Sequence, residues 1–162
     1  MRIFFISTEW ILILSVVLWF ILQHVAEYIS HKIPYKWLSP NGFLFKERKW
    51  EKGGAFYSKV LKVKKWKKFL PDGAAARKKG YRKKNLTDFS TENLDLFLVE
   101  SCRAELMHWI AILPFWIFGL FAPVEIIIYM FIYALAVNLP CIIVQRFNRP
   151  RIRKLMERKS SV

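Results

Sequence analysis

Three apolar runs, Ile3–Ile29, Leu106–Phe121 and Val124–Val144, set the limits on what this chain can fold into. A helix needs about 20 mostly apolar residues to cross a bilayer. The first and third runs meet that length. The second is short at its apolar core; it lengthens if it begins in the apolar stretch Leu94–Val99, or else it is re-entrant. The expected fold class is an all-α membrane protein with about three transmembrane helices. It forms a single membrane domain over residues 1–162, with spans at about 3–29, 106–121 and 124–144, a basic cytoplasmic loop at 30–90 and a basic tail at 145–162. Ala122-Pro123 interrupts the apolar sequence and predicts a tight hairpin between the second and third spans, leaving Glu125 at the outer rim. Arg2 followed by an apolar run also has the outline of a secretion signal. The run is long for that role and no A-x-A cleavage site follows it, so the expectation is a retained anchor.

Charge then orients the spans. The chain is 54% hydrophobic and 17% aromatic and still carries a net charge of +15, a combination that suits apolar spans joined by segments facing an anionic surface. The segment from Lys46 to Lys84 holds 16 Lys and Arg against the three acids Glu47, Glu51 and Asp72, and the tail after Val144 holds seven against Glu157. Positive segments stay in the cytoplasm. Both therefore belong inside, with two spans between them and the N-terminus outside. This makes the expected location the cell membrane, in multi-pass form. A membrane lipid partner accounts for both the apolar runs and the charge; no nucleic-acid-binding fold motif accompanies the basic loop, and no nucleic acid is expected.

Within the loop, Pro40-Asn41-Gly42 and Pro71-Asp72-Gly73 are turn signals. Between them Phe56, Val60, Val63, Trp66 and Leu70 fall on one helical arc, with lysines over most of the remainder, which predicts an amphipathic helix lying at the membrane interface. Leu61-Lys62-Val63-Lys64 also alternates as a strand would. Further on, Ser90 or Thr91 is suited to cap a helix beginning near Glu92 and running into the second span.

Two polar clusters border the spans. In the first, Glu105 and His108 are three residues apart, as are Glu100 and Arg103, so each pair shares a helix face. A carboxylate beside an imidazole favours proton acceptance, as a general base for a hydroxyl requires. Two ordinary stabilising pairs would have the same spacing. In the second, Asn138, Gln145 and Arg149 lie on one stripe, with Arg146, Asn148 and Arg151 beside them, Cys141 near the stripe and Pro140 freeing a carbonyl. A polar groove and a snorkelling basic collar are both consistent with this pattern. His24, Glu27 and His31 share a face and read as an interfacial helix end, with a metal site as the alternative; Cys102 beside Arg103 reads as a buried thiol, with a nucleophile as the alternative. No CxxC or HExxH pattern occurs, and no metal is expected.

Several stretches resemble a known family: Phe56-Tyr57-Ser58-Lys59 through Val63-Lys64-Lys65-Trp66-Lys67, then Leu70-Pro71-Asp72-Gly73, then Glu100-Ser101-Cys102-Arg103-Ala104-Glu105-Leu106-Met107-His108-Trp109, and finally Asn138 through Arg151. They look like the glycosyl-4,4′-diaponeurosporenoate acyltransferases of Gram-positive bacteria, over about Pro34 to Arg151. The resemblance implies a membrane O-acyltransferase that esterifies the sugar hydroxyl of a carotenoid glycosyl ester with a fatty acyl chain, the last step toward staphyloxanthin-type pigments. The candidate catalytic residues are His108 as base with Glu105 or Glu100 orienting it. Arg103, Asn138 and Gln145 are candidates for oxyanion or sugar contacts, and Arg146, Asn148, Arg149 and Arg151 complete the substrate-binding set, the arginines facing donor phosphates. No bound cofactor is expected; the co-substrate is a fatty acyl thioester, acyl-CoA or acyl carrier protein. Partners follow as membrane lipid, the carotenoid glycoside and the acyl donor. Three spans make a thin scaffold, so a homo-oligomer or a complex with other pigment-pathway enzymes is also expected. The alternative is a non-catalytic membrane scaffold or anionic-lipid-binding protein.

Overall fold

A computed structural model describes residues 2–70 and 89–161, and every regular element among them is helical. Helix α1 spans Thr8–Lys32, α2 Ala55–Lys59, α3 Val63–Trp66, α4 Thr91–Ile112 and α5 Val124–Ser160. The Pro71-Asp72-Gly73 turn and the basic residues from Arg77 to Lys84 lie outside the described residues.

Among the described residues, α1 and α5 are the two helices long and apolar enough to cross a membrane, with only 22% and 17% of their most apolar windows buried. Neither is therefore the enclosed core helix of a soluble protein; their outward-facing Val, Ile, Leu and Phe side chains suit hydrocarbon, and they point to membrane association.

The predicted second span takes a different form. Helix α4 stops at Ile112, and Leu113–Leu120 continues as a 3₁₀ helix with Pro114 at φ −81°, ψ 16°. Proline has no N–H to donate and its ring clashes with the carbonyl four residues back, so an α-helix cannot pass through Pro114 undisturbed. At its other end α4 starts as anticipated. Ser90 Oγ accepts the Asn93 N–H at 3.4 Å, and the Ser90 carbonyl accepts Leu94 N–H at 3.0 Å.

The chain divides into two compact units, Met1–Ile33 with Leu106–Pro140, and Pro34–Glu105 with Cys141–Val162. In the first unit, the 106–120 segment and the start of α5 run antiparallel about the turn at Ala122-Pro123. Gly119 meets Ile127, the Phe115 and Phe131 rings lie 4.5 Å apart, and His108 meets Asn138, each pair one step further from the turn. A Cβ at Gly119 would come within 2.9 Å of Ile127 Cδ1, so any larger residue there would require the Ile127 side chain to shift. Helix α1 packs through a narrow stripe, Ile11, Ser15, Trp19, Ala26 and Ser30. The Leu120 carbonyl accepts the Ile3 and Phe4 N–H groups, and Trp19 meets Tyr133 edge-on at 5.0 Å.

The second unit replaces the single amphipathic helix expected between Phe56 and Leu70 by α2, α3 and a 3₁₀ turn at Lys67–Phe69. The break falls at Lys62, which sits in the left-handed region at φ 49°. Breaking the helix turns Tyr57 and Val63 together onto Phe147 of α5, with Phe56, Leu61, Trp66, Ile143 and Val144 around them. Much of the apolar arc is thus spent on protein, leaving Val60 exposed. Just upstream, Lys52, Gly53 and Gly54 all have positive φ (49°, 64° and 82°), which folds the chain back so that Gly53 N–H donates to the Glu47 carboxylate. A Cβ on Gly54 would lie 3.6 Å from the Phe147 carbonyl in a conformation that disfavours side chains. The tail anticipated after Val144 is helical and continuous with α5, through Pro140 and Pro150.

Candidate functional site

Two constellations of polar side chains stand out, one in each unit. In the first unit His108 Nδ1 lies 2.8 Å from Asn138 Oδ1. Asn138 is fully buried, and its Nδ2 donates to the Ala134 carbonyl at 2.9 Å, back along its own helix. That second bond decides the first. With the amide nitrogen committed to a carbonyl, the amide oxygen faces the imidazole, so Nδ1 carries the proton and donates it. In the neutral ring the lone pair is then on Nε2. An imidazole held in one tautomer has the chemistry that a general base for a hydroxyl requires.

In the second unit two buried carboxylates meet two arginines of α5. Arg146 Nε donates to Glu105 Oε1 at 2.7 Å, Nη1 to Glu51 Oε1 at 2.6 Å, and Nη2 to the Leu44 carbonyl at 2.6 Å. Arg149 Nη2 donates to Glu105 Oε2 and Nη1 to Cys102 Sγ at 3.3 Å. Glu105 is completely buried and Glu51 nearly so. Burial alone would lower the Arg146 pKa, but the Glu105 and Glu51 carboxylates override it and hold the guanidinium charged. Tyr57 Oη donates to Glu51 Oε1 at 2.9 Å; burial first, and Glu51 second, push the phenol well above its usual range. A raised folded-state pKa means that the unfolded chain releases the proton first. The stability Tyr57 contributes is therefore complete below about pH 10 and is lost as pH rises beyond it. Tyr57→Phe is expected to lower stability by about 1–3 kcal/mol at neutral pH and to flatten the alkaline loss, as measured by thermal unfolding in detergent across pH.

A family model described as glycosyl-4,4′-diaponeurosporenoate acyltransferase matches residues 40–158. Proteins of that name from Staphylococcus aureus strains N315 and USA300 are each 37% identical over 138 residues, covering 85% of this chain and 83% of theirs. The chain belongs to this family. It is accordingly an O-acyltransferase. No solved structure matches it.

The residues singled out by sequence are distributed over both units of this acyltransferase. Glu105 receives Arg146 and Arg149, while Glu100 accepts Arg103 Nε at 3.1 Å and Arg103 lies over the Tyr35 ring at 4.8 Å. Asn138 is on His108. The Gln145 carbonyl accepts Ser101 Oγ at 3.5 Å, and Gln145 Oε1 is buried with no hydrogen-bond partner. Asn148 Oδ1 accepts Lys67 Nζ at 3.5 Å, and Arg151 stacks on Phe147. Cys102 is buried, and burial pushes its thiol up, which suits an inert thiol rather than a thiolate nucleophile. Among the described residues no group of three His, Cys, Asp or Glu side chains is placed to hold a metal ion, and His24 instead lies 3.6 Å from Glu27.

Sequence reasoning passed over Glu51 and Tyr57. The signal for Glu51 was its scarcity: one of three acids among 16 cations is worth matching with an arginine elsewhere.

Proposed function

We propose that this acyltransferase esterifies a sugar hydroxyl of glycosyl-4,4′-diaponeurosporenoate with a fatty acyl chain, the last step of staphyloxanthin-type pigment synthesis. The substrate is the one in the name of the Staphylococcus aureus relatives. The geometric support is the His108–Asn138 pair, which supplies a base of defined tautomer. His108 Nε2 takes the proton of the sugar hydroxyl as its oxygen attacks the thioester carbonyl. The tetrahedral oxyanion collapses, the C–S bond breaks, and the thiolate leaves with the proton carried by the imidazolium. Acyl-CoA or acyl carrier protein supplies the acyl group.

The setting is the cell membrane, with three crossings and both basic segments in the cytoplasm, where thioester donors reside. The second crossing is formed by Leu106–Ile112 followed by the 3₁₀ run to Leu120. At 1.5 and 2.0 Å per residue these span about 26 Å, near the ~30 Å of hydrocarbon.

Mass spectrometry of lipid extracts from cells expressing the wild-type gene, an empty vector or His108→Gln tests the reading. A fatty-acyl mass increment on a glycosylated carotenoid, present only with the wild type, is expected. An identical lipid profile in all three, with protein present, would reject it.

A further inference from the structure

We propose that Lys67, Asn148 and Arg151 form a binding site for a phosphate group, and that the group belongs to the acyl donor; this rests on the acyltransferase reading above. The site lies wholly within the second unit. Lys67 comes from the 3₁₀ turn after α3, and Asn148 and Arg151 lie three residues apart on one face of α5. Lys67 and Arg151 converge on one aromatic ring. Arg151 Cζ is 3.9 Å and Lys67 Nζ 5.1 Å from the centroid of Phe147, which is fully buried. Lys67 also donates to Asn148 Oδ1, which directs the Asn148 amide N–H₂ away from the ammonium as a further donor.

These cations differ from their neighbours on α5. Arg146 and Arg149 are matched by Glu51 and Glu105, two charges against two. Among the described residues no carboxylate pairs with Lys67 or Arg151. Burial, then the charges of Arg151 and Lys64, push the Lys67 ammonium below its usual range, and burial does the same to Arg151. Like charges gathered on one ring, with no carboxylate paired to them among the described residues, are relieved by an anion. A planar guanidinium, an ammonium and an amide suit the three oxygens of a phosphate. The arginines marked by sequence for donor phosphates thus divide. Arg146 and Arg149 are engaged internally, and Arg151 joins a lysine that sequence spacing did not connect to it.

A phosphate of this kind occurs on a coenzyme A or phosphopantetheine donor and also on a lipid headgroup, and the test separates the two. Coenzyme A and pantetheine, which lacks the phosphates, are titrated calorimetrically into the full-length protein in non-ionic detergent. Coenzyme A is expected to bind and pantetheine not to. Lys67→Ala and Arg151→Ala should each weaken coenzyme A by about tenfold. Lys65→Ala, which removes an equal charge from an exposed position on the same segment, should leave it unchanged. Coenzyme A affinity equal in wild type, Lys67→Ala and Arg151→Ala overturns the site, as does an equal loss in Lys65→Ala. Flotation with phosphatidylglycerol vesicles, compared with phosphatidylcholine vesicles, forms the second arm. Loss of anionic-vesicle binding in the two variants, with coenzyme A affinity intact, overturns the donor assignment in favour of a lipid phosphate. Binding is read without turnover, so its outcome stands apart from that of the His108 experiment. Melting temperatures of all variants exclude misfolding as the cause of a loss, and Lys67→Arg, which preserves the charge, should retain most of the affinity.

Discussion

Acyl transfer by His108→Gln is expected to fall by about 10²–10⁴-fold, the range over which a positioned base accelerates proton removal. Glutamine keeps a polar side chain of similar reach, so the loss reports the base and not a hole. Asn138 refines the test. Asn138→Leu and Asn138→Asp both remove the donor to the Ala134 carbonyl, but only the aspartate keeps an acceptor for His108 Nδ1. If Asn138 sets the tautomer, Asn138→Leu loses kcat with little change in KM, while Asn138→Asp retains much of it. An anionic neighbour favours the protonated imidazole. The rate of Asn138→Asp should therefore begin to fall at a higher pH on acidification than that of the wild type. Equal kcat losses in the two variants, with superimposable pH profiles, would leave Asn138 a packing residue; full activity in His108→Gln would remove the base.

Glu105→Ala should cost the largest stability of any single change, about 3–5 kcal/mol, because it strands Arg149, which is only 4% exposed, and takes one of two carboxylates from Arg146. Replacing Glu105 and Arg149 together by leucine removes both charges and should recover a good part of that loss. Unfolding midpoints in detergent decide the point. A double variant as unstable as the sum of the singles would mean that the pair acts through packing and not through charge.

The parts of this fold that were legible in the sequence were those governed by thresholds and local chemistry. Apolar length marked α1 and α5, Ala122-Pro123 marked the turn between Leu120 and Val124, and Ser90 marked the start of α4. Other features depended on partners far along the chain. Lys62 adopts a left-handed φ because Tyr57 and Val63 both reach Phe147, and nothing in a lysine announces that; a Gly or Asn would have. Glu51 reaches Arg146 across 95 residues, so its role was hidden among the surrounding lysines. His108 and Asn138 were each visible as polar residues in apolar sequence. Their pairing depends on the hairpin register, in which Gly119 meets Ile127 and Phe115 meets Phe131. The short apolar core of the second run was legible as well, but its change from α to 3₁₀ geometry at Leu113–Leu120 follows from Pro114, which apolar length does not register.

The balance of Glu51 and Glu105 against Arg146 and Arg149 has a practical consequence. A neutral quartet contributes nothing to the net charge of +15, which resides on the other charged groups of the chain, Lys52, Lys64 and Lys65 among the exposed ones. At physiological ionic strength screening acts over about 8 Å of solvent and scarcely enters a dry interior. Raising ionic strength should accordingly weaken the attraction of this enzyme for anionic surfaces and soluble acidic donors while leaving its melting temperature almost unchanged. Salt then becomes a tool that separates recruitment from integrity: a buffer series can release the protein from whatever its surface holds and return it intact.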